Sequence, residues 1–228
     1  MSTWYGTSKS GTAVTAYLDG ALLPCPGVSE ATVRENLASR PVIAGEEDPR
    51  LLIEPVTKLG MVYLFGGGHV AQKLVPLLAY VDFRITVCED RPDFADKALF
   101  PLAERTVLCD FADISEAVTI RPDDSVVIMT RGHRADYEIL RQVLRTDANY
   151  IGCIGSRHKI AMTRQRLIED GFTDAEFDRV YTPIGIPILA ETPEEIGISV
   201  AAQMIEHRAK RACALHGKTV CDNITVND

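Results

Sequence analysis

Paired cysteine motifs, long apolar runs and an excess of basic charge are all missing from this 228-residue sequence. The six cysteines, Cys25, Cys88, Cys109, Cys153, Cys213 and Cys221, form no CxxC pair. That excludes a zinc ribbon and a thioredoxin-like motif. A disulfide framework is not expected at this size in a reducing compartment. Cys88, Cys109 and Cys153 fall in apolar, strand-like runs, where cysteine behaves as a small buried hydrophobe. No stretch approaches the ~20 apolar residues that span a bilayer. The opening MSTWYGTSKSGTAVT lacks the basic-then-apolar layout of a signal peptide. The reading is a cytoplasmic protein with no membrane partner.

Acidic residues outnumber basic ones by 32 to 24, for a net charge of −8. Proteins that live on nucleic acid carry a basic excess, so nucleic acid is not an expected partner. HExxH, GxSxG and P-loop patterns are absent too. The catalytic case is therefore thinner than the binding case, and no residue is assigned a catalytic or metal-ligating role. What it has is an ordinary globular composition, 46% hydrophobic and 25% charged, which excludes a disordered chain, a collagen and a coiled coil.

Residues 1–55 read differently from the rest. Ala13–Leu18 is a strand candidate, Asp19-Gly20 a hairpin dipeptide and Pro24-Cys25-Pro26-Gly27 a breaker cluster. Ser29 can cap a helix through Ser39, and Arg50–Val56 is another strand candidate. From Gly60 onward short apolar runs alternate with helical patterns. Strands are predicted at Met61–Phe65, Arg84–Cys88, Arg105–Cys109, Ser125–Met129 and Tyr150–Ile154. Helices are predicted at Val70–Tyr80, Ala135–Leu144, Ser156–Asp170 with Gly171 as its stop, and from Thr192-Pro193-Glu194-Glu195 to about Arg211. Pro76 inside the first of these predicts a kink or a shortened helix. The pattern is an α/β, Rossmann-like parallel sheet of order 3-2-1-4-5 with helices on both faces. A small N-terminal α+β region over 1–56 precedes a domain over 57–212, and a tail covers 213–228.

The chemistry gathers in loops that such a sheet places on one edge. Gly66-Gly67-Gly68-His69-Val70-Ala71 fits GxGxxG/A and joins a strand to a helix, the context a dinucleotide fold requires. Glycine permits the tight turn, and the helix N-terminus offers free N–H groups to an anion. Glu89 and Asp90 end the second strand, where an acid can take ribose hydroxyls. Thr130-Arg131-Gly132-His133 follows the fourth strand, and Gly155-Ser156-Arg157-His158-Lys159 the fifth. Arg157 and Lys159 sit in a first helical turn, the wrong end for cations unless an anion binds there. A ligand-free tight turn and solvated side chains fit the same residues. His69 and His133 fit proton transfer, or a loop histidine with one backbone hydrogen bond.

The chain resembles the xanthine dehydrogenase accessory proteins of the XdhC/CoxI type, maturation factors of bacterial molybdenum hydroxylases. The resemblance rests on LLIEPV at 51–56, GGGHVA at 66–71, FRITVCEDRPDFA at 83–95, LFP at 99–101 and MTRGH at 129–133. It continues through YIGCIGSRHK at 150–159, YTPIGIPILAETPEEIGISVAAQMI at 181–205 and HRAKR at 207–211. It implies a carrier rather than a turnover enzyme, one that binds the molybdenum cofactor and assists its sulfuration and insertion. The implied cargo is molybdopterin or its dinucleotide form, with NAD(P) as a further candidate ligand. The implied partners are a molybdenum hydroxylase such as xanthine dehydrogenase and a cysteine desulfurase, and the expected assembly is a homodimer. The implied cofactor-binding residues are Gly66, Gly67, Gly68, His69, Val70, Glu89, Asp90, Thr130, Arg131, Gly132, His133, Gly155, Ser156, Arg157 and Lys159. Two departures stand out. Asp82 replaces the family's glycine before the second strand, and residues 1–50 lack the expected Gly-Gly-Cys turn, so the N-terminal region is shortened or diverged. The competing readings are a small NAD(P)-dependent oxidoreductase and a nucleotide-sensing regulatory domain. Neither adds a residue to the set.

Overall fold

The computed structural model describes residues 2–8, 11–18, 21–23, 28–36, 42–44, 50–55 and 60–216. The Asp19-Gly20 dipeptide, the Pro24–Gly27 cluster and the tail beyond residue 216 lie outside that set, as do Cys25 and Cys221. The chain divides into two compact units, Met1–Lys58 with His207–Asp228, and Leu59–Glu206.

The first unit contains β1 (Ser2–Ser8), β2 (Gly11–Leu18), β3 (Ala21–Leu22), α1 (Glu30–Glu35), β4 (Val42–Ala44) and β5 (Arg50–Pro55). Its strands form an antiparallel sheet of order β3-β2-β1-β5-β4. The central strand, β1, and the edge strand β4 had no counterpart in the sequence reading. STWYGTS carries β-favouring Thr, Trp and Tyr, but it is polar and broken by glycine, so it shows no apolar alternation. The Ser29 hydroxyl caps α1 by accepting the Thr32 N–H at 3.4 Å. Val33, Ala44, Leu51 and Ile53 form a small buried core.

The second unit is built on β6 (Met61–Phe65), β7 (Arg84–Glu89), β8 (Arg105–Leu108), β9 (Ser125–Ile128), β10 (Tyr150–Cys153) and β11 (Val180–Tyr181). They form a parallel sheet of order β11-β10-β9-β6-β7-β8. This is the predicted doubly wound order with a two-residue sixth strand added. Its helices are α2 (His69–Tyr80), α3 (His133–Val143), α4 (Arg157–Glu169), the short α5 (Asp174–Phe177) and the part of α6 (Pro193–His216) up to Glu206. Among the described residues no helix is long and apolar enough to cross a membrane.

Alternate strand residues face opposite ways, as period two requires. Val62, Leu64, Ile85, Val87 and Val127 pack with Leu74, Val75 and Leu78 of α2 and with Val200 and Met204 of α6. Phe65, Cys88, Val126, Ile128 and Ile151 pack with Ile139, Leu140 and Val143 of α3 and with Leu167 of α4. Cys88, Cys109 and Cys153 are buried free thiols, as their apolar runs predict. Pro76 does not shorten α2, which runs on to Tyr80. An interior proline costs about 3 kcal/mol. Burying Leu74, Val75 and Leu78 returns about 1.5–3 kcal/mol each, so tertiary packing prevails.

Two helices stop in the same way with different residues. The Asp82 N–H donates to the Ala79 carbonyl at 3.1 Å and the Phe83 N–H to Leu78 at 3.0 Å. The Gly171 and Phe172 N–H groups donate to Ile168 and Leu167, both at 3.0 Å. Both are Schellman ends whose turning residue is left-handed. Gly171 has φ +88°, and Asp82 adopts φ +64° without being glycine.

Candidate functional site

Strands β6 and β9 are neighbours, while the chain leaves β6 for β7 on its other side. The crevice at their carboxyl ends is the switch point where doubly wound folds bind ligands. Four connections meet at this edge: the glycine turn, the end of β7, the loop after β9 and the loop after β10.

The three glycines of the turn have three different reasons to be there. Gly66 has φ +107°, and a Cβ on it would stand 2.4 Å from the Met129 carbonyl oxygen. Its N–H donates to the Cys88 carbonyl at 2.8 Å. Gly67 is confined by packing, since its Cβ would come within 2.8 Å of the Phe94 carbonyl oxygen. Gly68 caps α2 at φ −73°, ψ −173°, without a side-chain cap. A Cβ there would meet nothing within 4 Å. Gly132 stands in the same way before α3, uncapped by a side chain and with open space around its Cβ position. His69, at the head of α2, and His133, at the head of α3, are exposed, and Val70 is half-buried.

Glu89 and Asp90 part company. Glu89 is buried and turns inward, correcting the expectation that it awaits a ribose. Its carboxylate accepts the Gly67 N–H at 2.6 Å and the Arg91 Nε at 2.7 Å. The Arg91 Nη2 and backbone N–H add bonds of 3.1 and 3.2 Å. Burial alone would push this carboxyl up. The bonds from Arg91, Asp90 and Gly67 outweigh it and hold the group down to about 2. The Asp90 side chain is 32% exposed and lies 3.8 Å from Arg131 Nη2 and 3.8 Å from Arg91 Nε. Its carboxyl is pushed up by burial and by the bond and charge of Glu89.

The loop after β9 is pinned by a residue absent from the sequence-derived set. Asp136 of α3 reaches back and accepts the Thr130 N–H at 3.1 Å and its hydroxyl at 2.6 Å. Burial raises the Asp136 carboxyl; the Thr130 bonds and the charges of His133 and Lys159 oppose the rise. His133, Asp136, Cys153, Gly155 and Lys159 line a narrow cleft between this loop and α4. At the head of α4 the Ser156 hydroxyl accepts the Lys159 N–H at 3.5 Å. Arg157, His158 and Lys159 are exposed.

The structure thus links the expected residues in a chain. Gly67 is tied to Glu89, Asp90 to Arg131, Thr130 to Asp136, and Asp136 faces Lys159. Arg157 stands apart from this chain. Two members, Arg91 and Asp136, were missing from the residue set. Each left only a faint sequence signal, an acid-x-base pair at a strand end and an acid four residues into an uncapped helix. The edge as a whole offers hydrogen-bond donors and cations around an open space, which suits an anionic ligand. A larger open cavity of about 820 Å³ lies at the amino end of β9 and β10, among Ile114, Thr119, Gln142, Arg145 and Phe172. It contains none of the expected site residues.

Comparison with known proteins agrees with this architecture. Curated relatives include a probable xanthine dehydrogenase subunit of Bacillus subtilis, 31% identical over 160 residues, covering 70% of this chain and 46% of the relative. Another is the uncharacterized protein YqeB of Escherichia coli, 32% identical over 144 residues, covering 63% of this chain and 26% of the relative. The chain therefore spans less than half the length of either. A crystal structure of a xanthine dehydrogenase from Bacillus halodurans superposes with a TM-score of 0.71 at 28% identity, covering 98% of this chain and 63% of that one. The family model described as the XdhC Rossmann domain matches residues 62–204, the parallel sheet from Val62 onward and the loops at its carboxyl edge. The chain belongs to the XdhC Rossmann domain family.

Proposed function

We propose that this protein binds the molybdenum cofactor at the carboxyl edge of its parallel sheet and assists the cofactor's sulfuration and its insertion into a xanthine dehydrogenase or related molybdenum hydroxylase. The observation that carries the reading is Gly68. Its backbone conformation is open to any residue, and its Cβ position is empty space. Neither strain nor packing calls for glycine there. A phosphate seated on the N-terminus of α2 does, because it needs the backbone to come close. Gly132 presents the same features across the switch point. The names of the relatives support the choice of client, since two of the similar proteins are described as a xanthine dehydrogenase or its subunit.

The residues fit the phosphate end of the cofactor. The first N–H groups of α2 and the side chains of Arg131, Arg157 and Lys159 would hold it. The molybdenum end finds no exposed cysteine at this edge among the described residues. Cys88, Cys109 and Cys153 are all buried; the hydrogen bond with Cys109 and then burial raise the Cys88 thiol, burial raises that of Cys153, and the bond with Cys88 lowers that of Cys109. In this reading the sulfur comes from a separate donor, a cysteine desulfurase. When bound, the cofactor supplies the molybdenum centre that the hydroxylase uses. This chain's own groups seat its phosphate and orient it.

The test is purification from a molybdenum-replete host, with mass spectrometry of what is released. The wild-type protein should release a pterin phosphate or its dinucleotide. Release of NAD(P) with no pterin would contradict the reading.

A further inference from the structure

We propose that Asp90 and Arg131 form a latch across the mouth of this site, which an anionic ligand opens by taking Arg131 from Asp90. The proposal rests on the ligand-binding reading above and concerns how that same site is guarded.

The two guanidiniums beside Asp90 are not equivalent. Arg91 is fixed, because its Nε and Nη2 donate to Glu89 at 2.7 and 3.1 Å. Its guanidinium carbon also sits 3.7 Å from the centre of the Phe94 ring. The Arg131 side chain is 65% exposed, and Asp90 is its one ion-pair partner among the described residues. Its backbone is held nonetheless. Thr130 before it is bound to Asp136, and Gly132 after it begins α3. Arg131 is a long cation on an anchored base, free to turn.

The charges at the mouth cancel. Glu89 and Asp90 carry two negative charges, Arg91 and Arg131 two positive ones. Arg91 lies 3.8 Å from Asp90 as well but is clamped on Glu89 at close range, which leaves Arg131 as the movable partner of Asp90. While that pair is made, Arg131 adds little to the attraction that the N-terminus of α2, Arg157 and Lys159 exert on an arriving phosphate. Once Arg131 swings to the phosphate it can make a two-pronged contact. Asp90, released, then faces the ligand's donor groups. Exposed ion pairs are weak, so the latch biases binding severalfold and does not block it.

The experiment is a double-mutant cycle on the full chain, with inorganic pyrophosphate titrated calorimetrically into wild type, Asp90→Asn, Arg131→Gln and the double variant. Asp90→Asn should tighten binding by about threefold. Arg131→Gln should weaken it by about tenfold. In the Arg131→Gln background the gain from Asp90→Asn should vanish. An equal gain in both backgrounds would show that Asp90 only repels anions through space, and would overturn the latch. So would weaker binding by Asp90→Asn, or no pyrophosphate binding by the wild type. Asp90→Ser removes the same charge should Asp90→Asn not fold. Failure of the cycle in a protein that still releases a pterin removes the latch alone. A successful cycle in a protein that releases no pterin removes the cofactor reading alone.

Discussion

The Glu89 carboxylate accepts the Gly67 N–H at 2.6 Å, so the glycine turn is braced from below by a buried acid at the end of the next strand. In many folds of this type the acid at that point faces a ribose. Here Arg91 clamps it from the other side, and its task is to fix the turn. The consequence appears in acid. Glu89 ionises at about 2 in the folded protein, against an ordinary 4.5. A folded value below the unfolded one contributes stability in full above about pH 5 and loses it as pH falls toward 2. Glu89→Gln should remove this part of the acid limb and cost about 1–3 kcal/mol at neutral pH. Urea titrations of both proteins between pH 7 and pH 3 read it. Parallel curves across that range would show that Glu89 carries no such charge-linked role.

The glycines of the turn should respond in opposite directions. Gly66→Ala forces a side chain into φ +107° and against the Met129 carbonyl. The expected cost is about 3 kcal/mol or more. Gly68→Ser places a favoured capping residue in open space and should gain ~0.3 kcal/mol. Thermal unfolding of the two variants checks the pair, and a large destabilisation by Gly68→Ser would reveal an internal reason for that glycine.

Arg157 and Lys159 lie in the first turn of α4, beside the positive end of its dipole. Replacing both with Gln should leave the ligand-free protein within about 0.5 kcal/mol of wild type. Lys159 eases the buried Asp136, so the relief expected from the dipole is partly offset. Binding of an anionic ligand should weaken and lose part of its salt dependence. Melting curves and titrations at two salt concentrations separate this from a structural role, which would lower stability and leave binding intact.

Asp82 and Gly171 end their helices in the same geometry, and the left-handed conformation favours glycine. Asp82→Gly should therefore stabilise the protein by ~0.5–1 kcal/mol, and Gly171→Asp should destabilise it by a similar amount. Chemical denaturation of the two variants gives both signs, and a loss of stability in Asp82→Gly would contradict the account.

The second unit was legible because its signals agree. Apolar runs, glycine stops and the Thr192–Glu195 capping box all pointed to one alternating fold. The box is made as read, with the Thr192 hydroxyl accepting the Glu195 N–H at 3.2 Å and the Glu195 carboxylate accepting the Thr192 N–H at 3.0 Å. The first unit was harder because β1 gains its place by pairing on both sides, with β2 and β5, and not from an apolar pattern of its own. At the site, the loops could be placed on one edge but their internal partners could not. Glu89 pointing inward and Asp90 pointing outward are adjacent acids, and only the three-dimensional position of Gly67 and Arg91 tells them apart. Asp136 was hidden for the same reason, since its bond to Thr130 runs backward from helix to loop.

The central claim is that the open space at Gly68 is where the cofactor's phosphate rests. The direct measurement is an equilibrium titration of isolated molybdopterin into the wild-type protein and into Gly68→Asp, with unfolding curves confirming that both are folded. Wild type should bind, and the carboxylate of Gly68→Asp should weaken binding tenfold or more, equivalent to ~1.4 kcal/mol. Equal affinity in two folded proteins would contradict the account and put the cofactor somewhere other than the glycine turn.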